Sequence, residues 1–308
     1  MDPEVDRHRI EAAAARIRGY VRTTPVLELG DPLGAGYSLT LKLDNLQPTG
    51  SFKVRGAFSL LTSLAPGTKV VAASGGNFGL AVAHAGSRLG LPVKVFVPES
   101  SPSAKIARIR AEGAAVEVVG GFYDEALEAS RRWAARAGAF EAHAYDDAEV
   151  VAGQGTAGRE IARQVPTADS VLVAVGGGGL IAGVASWFRN GVNVIAVESP
   201  GCQSFHAALE AGEPVEVEVR GVAASSLGAR MIGDHAWHAR RWIDSSILVG
   251  DSEIVATQRW LWEETRLVVE PAAAATVAAL RTESYRPKTG ERVVALISGA
   301  NLDPTDLT

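Results

Sequence analysis

The chain is predicted to fold as an α/β protein built from two doubly wound, open-sheet lobes. Three observations predict this. Short β-branched runs alternate with alanine-rich helical stretches, which implies parallel sheets covered by helices on both faces. Three glycine-rich loops follow strand-like runs, at the carboxyl ends where such folds gather their chemistry. The length of 308 residues is large for one compact core and suits two lobes.

Residues 1–21 (MDPEVDRHRIEAAAARIRGYV) read as an amphipathic, charged helix without the apolar centre of a signal peptide. A strand is expected at 38–43. The first strand–helix series places strands at 69–73 (KVVAA), 93–97 (VKVFV) and 115–119 (AVEVV), with helices at 79–89, 103–112 and 123–137. A second series has strands at 171–175 (VLVAV), 193–198 (NVIAVE) and 292–297 (RVVALI). No internal repeat or low-complexity linker interrupts them.

Composition limits the function classes. With 47% hydrophobic and 21% charged residues, the chain reads as a soluble globule. The formal charge is −5, from 30 Lys and Arg against 35 Asp and Glu. Without a basic cluster, this argues against nucleic acid or an anionic membrane as partner. No apolar run reaches membrane-spanning length. The single cysteine, Cys202, excludes an intrachain disulfide and is compatible with a reducing compartment. The cytoplasm is the expected address. The six histidines show no metal-ligand spacing.

The loop 45–56 (NLQPTGSFKVRG) follows the strand at 38–43. Its turn chemistry and Ser51 predict a helix opening near Phe52, capped by Ser51. Lys53 then lies in the first helical turn, where the dipole disfavours a cation. That placement suits a lysine that spends time as the neutral amine, in a Schiff base or a proton transfer. It also fits an ordinary solvated lysine. The loop 74–79 (SGGNFG) joins strand to helix. Its bare amides at a helix start could take an anion such as a carboxylate, or form only a tight turn. At 176–180 (GGGGL), four residues without Cβ precede a helix and could wrap a phosphate. Here a rival stands: Gly177, Gly179 and Ala182 fit the dinucleotide pattern, with Glu198 at the end of the next strand. That rival leaves the other loops unexplained. Glu270-Pro271 opens an alanine helix, where capping and an active-site role explain the acid equally well. Trp237, Trp242, Trp260 and Trp262 are expected to serve packing or an interface.

Residues 48–57 (PTGSFKVRGA) resemble the lysine motif of fold-type II pyridoxal-phosphate enzymes. This tryptophan-synthase-beta-like class includes serine and threonine dehydratases, serine racemase and cysteine synthase. The resemblance runs from Lys53 to Ser298, with the motifs in the family's order. It implies that Lys53 holds pyridoxal phosphate covalently and acts as the catalytic base, with Phe52 against the cofactor. Ser74, Gly76 and Asn77 match the family's Ser-x-Gly-Asn loop for the substrate carboxylate, to which Gly75 belongs. Asn77 would also bond the cofactor's ring hydroxyl. Gly176, Gly177, Gly178, Gly179 and Leu180 match the phosphate cradle, and Ser298 the residue facing the pyridine nitrogen. The loop at 198–204 resembles the dehydratase cation loop. Glu198, Cys202 (through its carbonyl) and Ser204 would hold a monovalent ion such as potassium, since only one carboxylate is present.

Two departures narrow the implied activity. Racemase-like relatives carry a serine where this chain has Gly75, and a histidine where it has Phe78. Glycine offers no acid to the face opposite Lys53, so racemisation is disfavoured. The implied reaction is α,β-elimination of water from L-serine or L-threonine, giving a 2-oxo acid and ammonia. The alternatives are racemase, cysteine-synthase-like β-replacement, a dehydratase of other 3-hydroxy amino acids, and a silent binding protein. The resemblance further implies a large cofactor-binding lobe (1–40 and 144–308), a small lobe (41–143) and a homodimer. Because the chain ends soon after 298–303 (SGANLD), no appended regulatory domain and no feedback by isoleucine are expected.

Overall fold

The computed structural model describes residues 4–302, so the expected lobe ends at 1–3 and 303–308 lie outside the described residues. The strands in chain order are β1 (Val26–Gly30), β2 (Ser38–Leu43), β3 (Val70–Ala73), β4 (Val93–Val97), β5 (Ala115–Val118), β6 (Phe140–Glu141), β7 (Ser170–Ala174), β8 (Asn193–Glu198), β9 (Ser245–Leu248) and β10 (Arg292–Ile297). They form a six-stranded sheet, β1-β2-β10-β7-β8-β9, and a four-stranded sheet, β5-β4-β3-β6. Every pairing is parallel except β1 with β2.

The six-stranded sheet is covered on both faces, and period-two alternation shows it. Val171 and Val173 of β7 bury against Ile161 and Ile181, whereas Leu172 between them joins the core that holds Ala274 and Val277. The helix on that second face, Pro271–Arg281, is mostly alanine and lies flat on the strands. Ile10 and Ala13, from the N-terminal helix Arg7–Arg16, bury in the same core as Ile161 and Ile181. The N-terminal helix therefore packs in the core beneath the large sheet.

The longest helix among the described residues, Ala148–Gln164, has no counterpart in the sequence-based expectations. Its glycines read as breakers in sequence, but here they admit other backbones. A Cβ on Gly153 would stand 2.6 Å from Arg55 O, and one on Gly155 would stand 2.9 Å from Gly183 O. The helices Lys53–Leu61 and Gly179–Phe188 thus press directly onto it. The expected lobe boundary between residues 40 and 41 falls inside β2, which pairs only within the six-stranded sheet. No helix among the described residues is long and apolar enough to cross a membrane.

Candidate active site

Lys53 is the first residue of its helix, as the turn chemistry predicts. The expected Ser51 cap does not form. Phe52 holds the N-cap position without a side-chain bond, and Ser51 makes a backbone bridge with Gly299 instead. That bridge, and the bond from Phe52 N to Ser298 O at 3.0 Å, fasten the lysine loop to the end of β10. Lys53 Nζ donates to Ala144 O at 3.0 Å and lies 5.1 and 5.9 Å from the ring centres of Phe52 and Phe78. Burial pushes its pKa down to about 8.

The lysine loop, the 74–77 turn, the 176–180 turn and Ser298 line one cavity of about 680 Å³. All expected cofactor and substrate residues are therefore brought together. The glycines at 176–179 have no room for side chains. A Cβ on Gly177 would stand 2.2 Å from the Tyr145 ring, one on Gly179 2.6 Å from Tyr145 O, and Gly178 has φ +87°. The helix Gly179–Phe188 begins at this turn, so its first residues, Gly179 and Leu180, line the cavity with amides that have no intrahelical partners. A Cβ on Gly75 would meet Ser101 Oγ at 2.2 Å and Val97 beyond it. Neither residue lines the cavity, so the side-chain direction at Gly75 leads away from it.

Glu198, Cys202 and Ser204 do not line the cavity but lie directly behind it. The Glu198 carboxylate accepts from Phe205 N at 3.0 Å and His206 N at 2.8 Å, and burial pushes its pKa up to about 8. Ser204 Oγ donates to Gly176 O at 2.7 Å, which links this loop to the tetraglycine turn.

Several residues in or beside the cavity are not singled out by the sequence, and Glu270 is one that the sequence leaves between capping and an active-site role. Tyr145 packs on the glycines from the loop after β6, and Asn301 reaches Asn77. Glu270 lines the cavity and accepts a hydrogen bond from Asn77. Burial raises its pKa, against the lowering effect of that bond. Phe122, Tyr123 and Met231 line the cavity while 77%, 49% and 44% exposed.

A buried amine and a bare amide turn at a helix start, facing one cavity, define a site for a phosphorylated carbonyl cofactor. The residues present fit that group: the amine is desolvated, and the turn excludes any Cβ. The chain belongs to the family of pyridoxal-phosphate dependent enzymes, whose family model matches residues 17–299. It is 37% identical over 306 residues to an L-threonine ammonia-lyase of Geobacter sulfurreducens, covering 96% of this chain and 75% of that protein. It is 35% identical over 307 residues to a phenylserine dehydratase of Ralstonia pickettii, covering 97% and 94%. The structure of maize serine racemase superposes with a TM-score of 0.93 at 29% identity, covering 98% of this chain and 95% of that one. The dinucleotide alternative is overturned by this membership.

Proposed function

We propose that this enzyme removes water across the Cα–Cβ bond of L-threonine, L-serine or both, the product being hydrolysed to a 2-oxo acid and ammonia. One observation carries the reading: the desolvated Lys53 amine opens on the same cavity as the 74–77 and 176–180 turns. The similarity to a threonine ammonia-lyase over nearly the whole chain supports it.

The cofactor, when bound, supplies the electron withdrawal that makes the Cα proton removable. Lys53 would hold the cofactor, and its Nζ, as the neutral amine, would accept the Cα proton. Phe52 and Phe78 flank the amine and keep water from it. The amides of Gly176, Gly177, Gly178, Gly179 and Leu180 hold the phosphate. Ser74, Gly75, Gly76 and Asn77 bind the substrate carboxylate and so fix the direction of the Cα–H bond. Asn77 would hold the cofactor's ring hydroxyl, and Ser298 would offer a neutral hydroxyl to its pyridine nitrogen. In this reading the large lobe (1–40 and 144–308) holds the cofactor and the small lobe (41–143) brings the carboxylate loop, with β2 crossing the boundary. Glu198, Cys202 and Ser204 bind potassium, an ion suited to one carboxylate beside carbonyl and hydroxyl oxygens. A cytoplasmic homodimer completes the reading.

A second reading concerns the side chain of the substrate. Exposed Phe122, Tyr123 and Met231 give the cavity an apolar rim, which favours a 3-hydroxy amino acid with an aromatic substituent. One assay tests both: 2-oxo acid release from L-serine, L-threonine, phenylserine and 3-hydroxyaspartate, compared by kcat/KM. The highest value for threonine or serine supports the first reading, and the highest for phenylserine the second. No release from any of them defeats both.

A further inference from the structure

Glu270 holds the N-cap position of the helix Pro271–Arg281, yet its side chain makes no capping bond. The carboxylate lines the cavity instead, and the residue is 3% exposed. Both oxygens of this carboxylate lie in reach of Asn77 Nδ2, Oε2 at 2.9 Å and Oε1 at 3.1 Å, so one N–H shared between them satisfies the contact and the second N–H is left for the cavity. The other end of the Asn77 amide is also committed, because Oδ1 accepts from Asn301 Nδ2 at 2.8 Å. Asn301 is itself oriented by donating to Thr49 O at 2.8 Å, an atom that only accepts. The surroundings are closed: a Cβ on Gly299 would stand 2.0 Å from Glu270 Oε2.

The two ends of an asparagine amide have nearly the same shape and opposite polarity, so neighbours decide which end a ligand meets. A carboxylate selects the NH2 end and a donor such as Asn301 selects the oxygen. A flipped Asn77 would set oxygen against oxygen at Glu270 and NH2 against NH2 at Asn301. The capping role that the sequence allows is therefore not the one adopted. The chain of bonds also ties the 74–77 turn, at the start of a small-sheet helix, to two segments beside the large sheet.

We propose that Glu270 is a positioning residue that fixes the amide polarity of Asn77, and with it the hydrogen-bond donor that Asn77 turns toward the cofactor. The inference rests on the reading of Asn77 as a cofactor contact. A donor held there stabilises the ionised form of a ring hydroxyl, which is visible in the cofactor's absorption.

The test titrates apoprotein with pyridoxal phosphate and reads the Kd and the ratio of visible to near-ultraviolet absorption bands. Glu270→Ala is expected to raise Kd about tenfold, the scale of one lost hydrogen bond, and to lower the band ratio. Glu270→Gln, which keeps an acceptor and the shape, should recover more than half of both effects. Asn301→Ala should move both in the direction of Glu270→Ala, and carries the test with Glu270→Gln if the alanine variant does not fold. A folded Glu270→Ala protein with wild-type Kd and bands, beside an altered Asn77→Ala, overturns the positioning role alone. Asn77→Ala with wild-type Kd and bands removes the cofactor contact and the proposal together. Glu270→Gln no better than Glu270→Ala assigns the effect to charge and overturns the proposal.

Discussion

Arg55 grips Asp44 through two bonds, Nε to Oδ2 at 2.7 Å and Nη2 to Oδ1 at 2.8 Å, and neither side chain reaches solvent. The same guanidinium bonds Glu160 at 2.7 Å, and Lys42 Nζ bonds Glu160 at 2.6 Å. Two cations and two anions thus balance in a closed compartment. Arg55 lies two residues after Lys53 on one helix, so this compartment fixes the base of the lysine helix against β2 and the helix Ala148–Gln164.

Arg55→Ala leaves buried carboxylates short of a cation and should lower stability by about 3–5 kcal/mol in denaturant unfolding. Acid sensitivity should change with it. Burial would raise the Asp44 pKa, but Arg55, together with Lys42 and the Thr24 hydroxyl, more than reverses this and holds it below its ordinary 3.8. A depressed carboxylate contributes stability above its unfolded pKa and loses it as pH falls through the folded value. The acid-unfolding midpoint of the variant should therefore move to higher pH. An unchanged midpoint would sink this account of Asp44.

Cofactor uptake by the apoprotein requires the neutral amine of Lys53. With its pKa near 8, the uptake rate should climb with pH and level off above that value. Stopped-flow absorbance after mixing with pyridoxal phosphate measures it. Lys53→Ala should give a colourless protein with no elimination activity. A rate that is flat between about pH 6 and pH 9, on either side of that pKa, would contradict the burial argument.

Gly177→Ala should weaken cofactor binding and stability together. The added Cβ needs the space of the Tyr145 ring, 2.2 Å away, and overpacking of this kind costs about 1–3 kcal/mol. Thermal melting with and without cofactor reads both effects. A variant with wild-type Tm and Kd would mean that Tyr145 moves freely.

Potassium should raise activity, and magnesium should not be required. The donor set has one carboxylate, Glu198, beside a carbonyl and the Ser204 hydroxyl. Equal rates in potassium, sodium and choline buffers would remove the cation from the 198–204 loop.

L-Serine should give 2-oxo acid with almost no D-serine, as chiral chromatography at partial conversion would show. Lys53 serves one face, and Gly75 has no acid for the other. Because the side-chain direction at Gly75 leads to Ser101, Gly75→Ser should not introduce racemisation. D-Serine formed by the unmodified enzyme as fast as pyruvate would place this chain with the racemases.

The strands β4, β8 and β10 lie where their apolar runs predict, because two-sided burial writes an unbroken signal. Others did not show. The strand β6 has two residues and is defined by its partner β3, and β9 is half-buried along its length. The helix Ala148–Gln164 was hidden by glycines that serve packing. The lining of the cavity was legible where one loop supplies it, as with Lys53 and the tetraglycine turn. It was not legible where the function is a pairing between distant segments. Glu270 and Asn77 are separated by 193 positions, and nothing local in either segment announces the other.

The placement of β10 has a consequence for biosynthesis. This strand, late in the chain, lies between β2 and β7, with Arg292 opposite Ser38 and Val293 opposite Ser170. The β1–β2 pair and the β7–β8–β9 group of the large sheet therefore wait, unjoined, for a strand made after all of them. The lysine loop waits too, since Phe52 N is secured by Ser298 O. A chain made only as far as β9 has the lysine but not the Ser298 carbonyl that secures its loop, so the proposed cofactor loading belongs to a chain made through β10. Chaperones that shield β2 and β7 would act in the interval before β10 emerges.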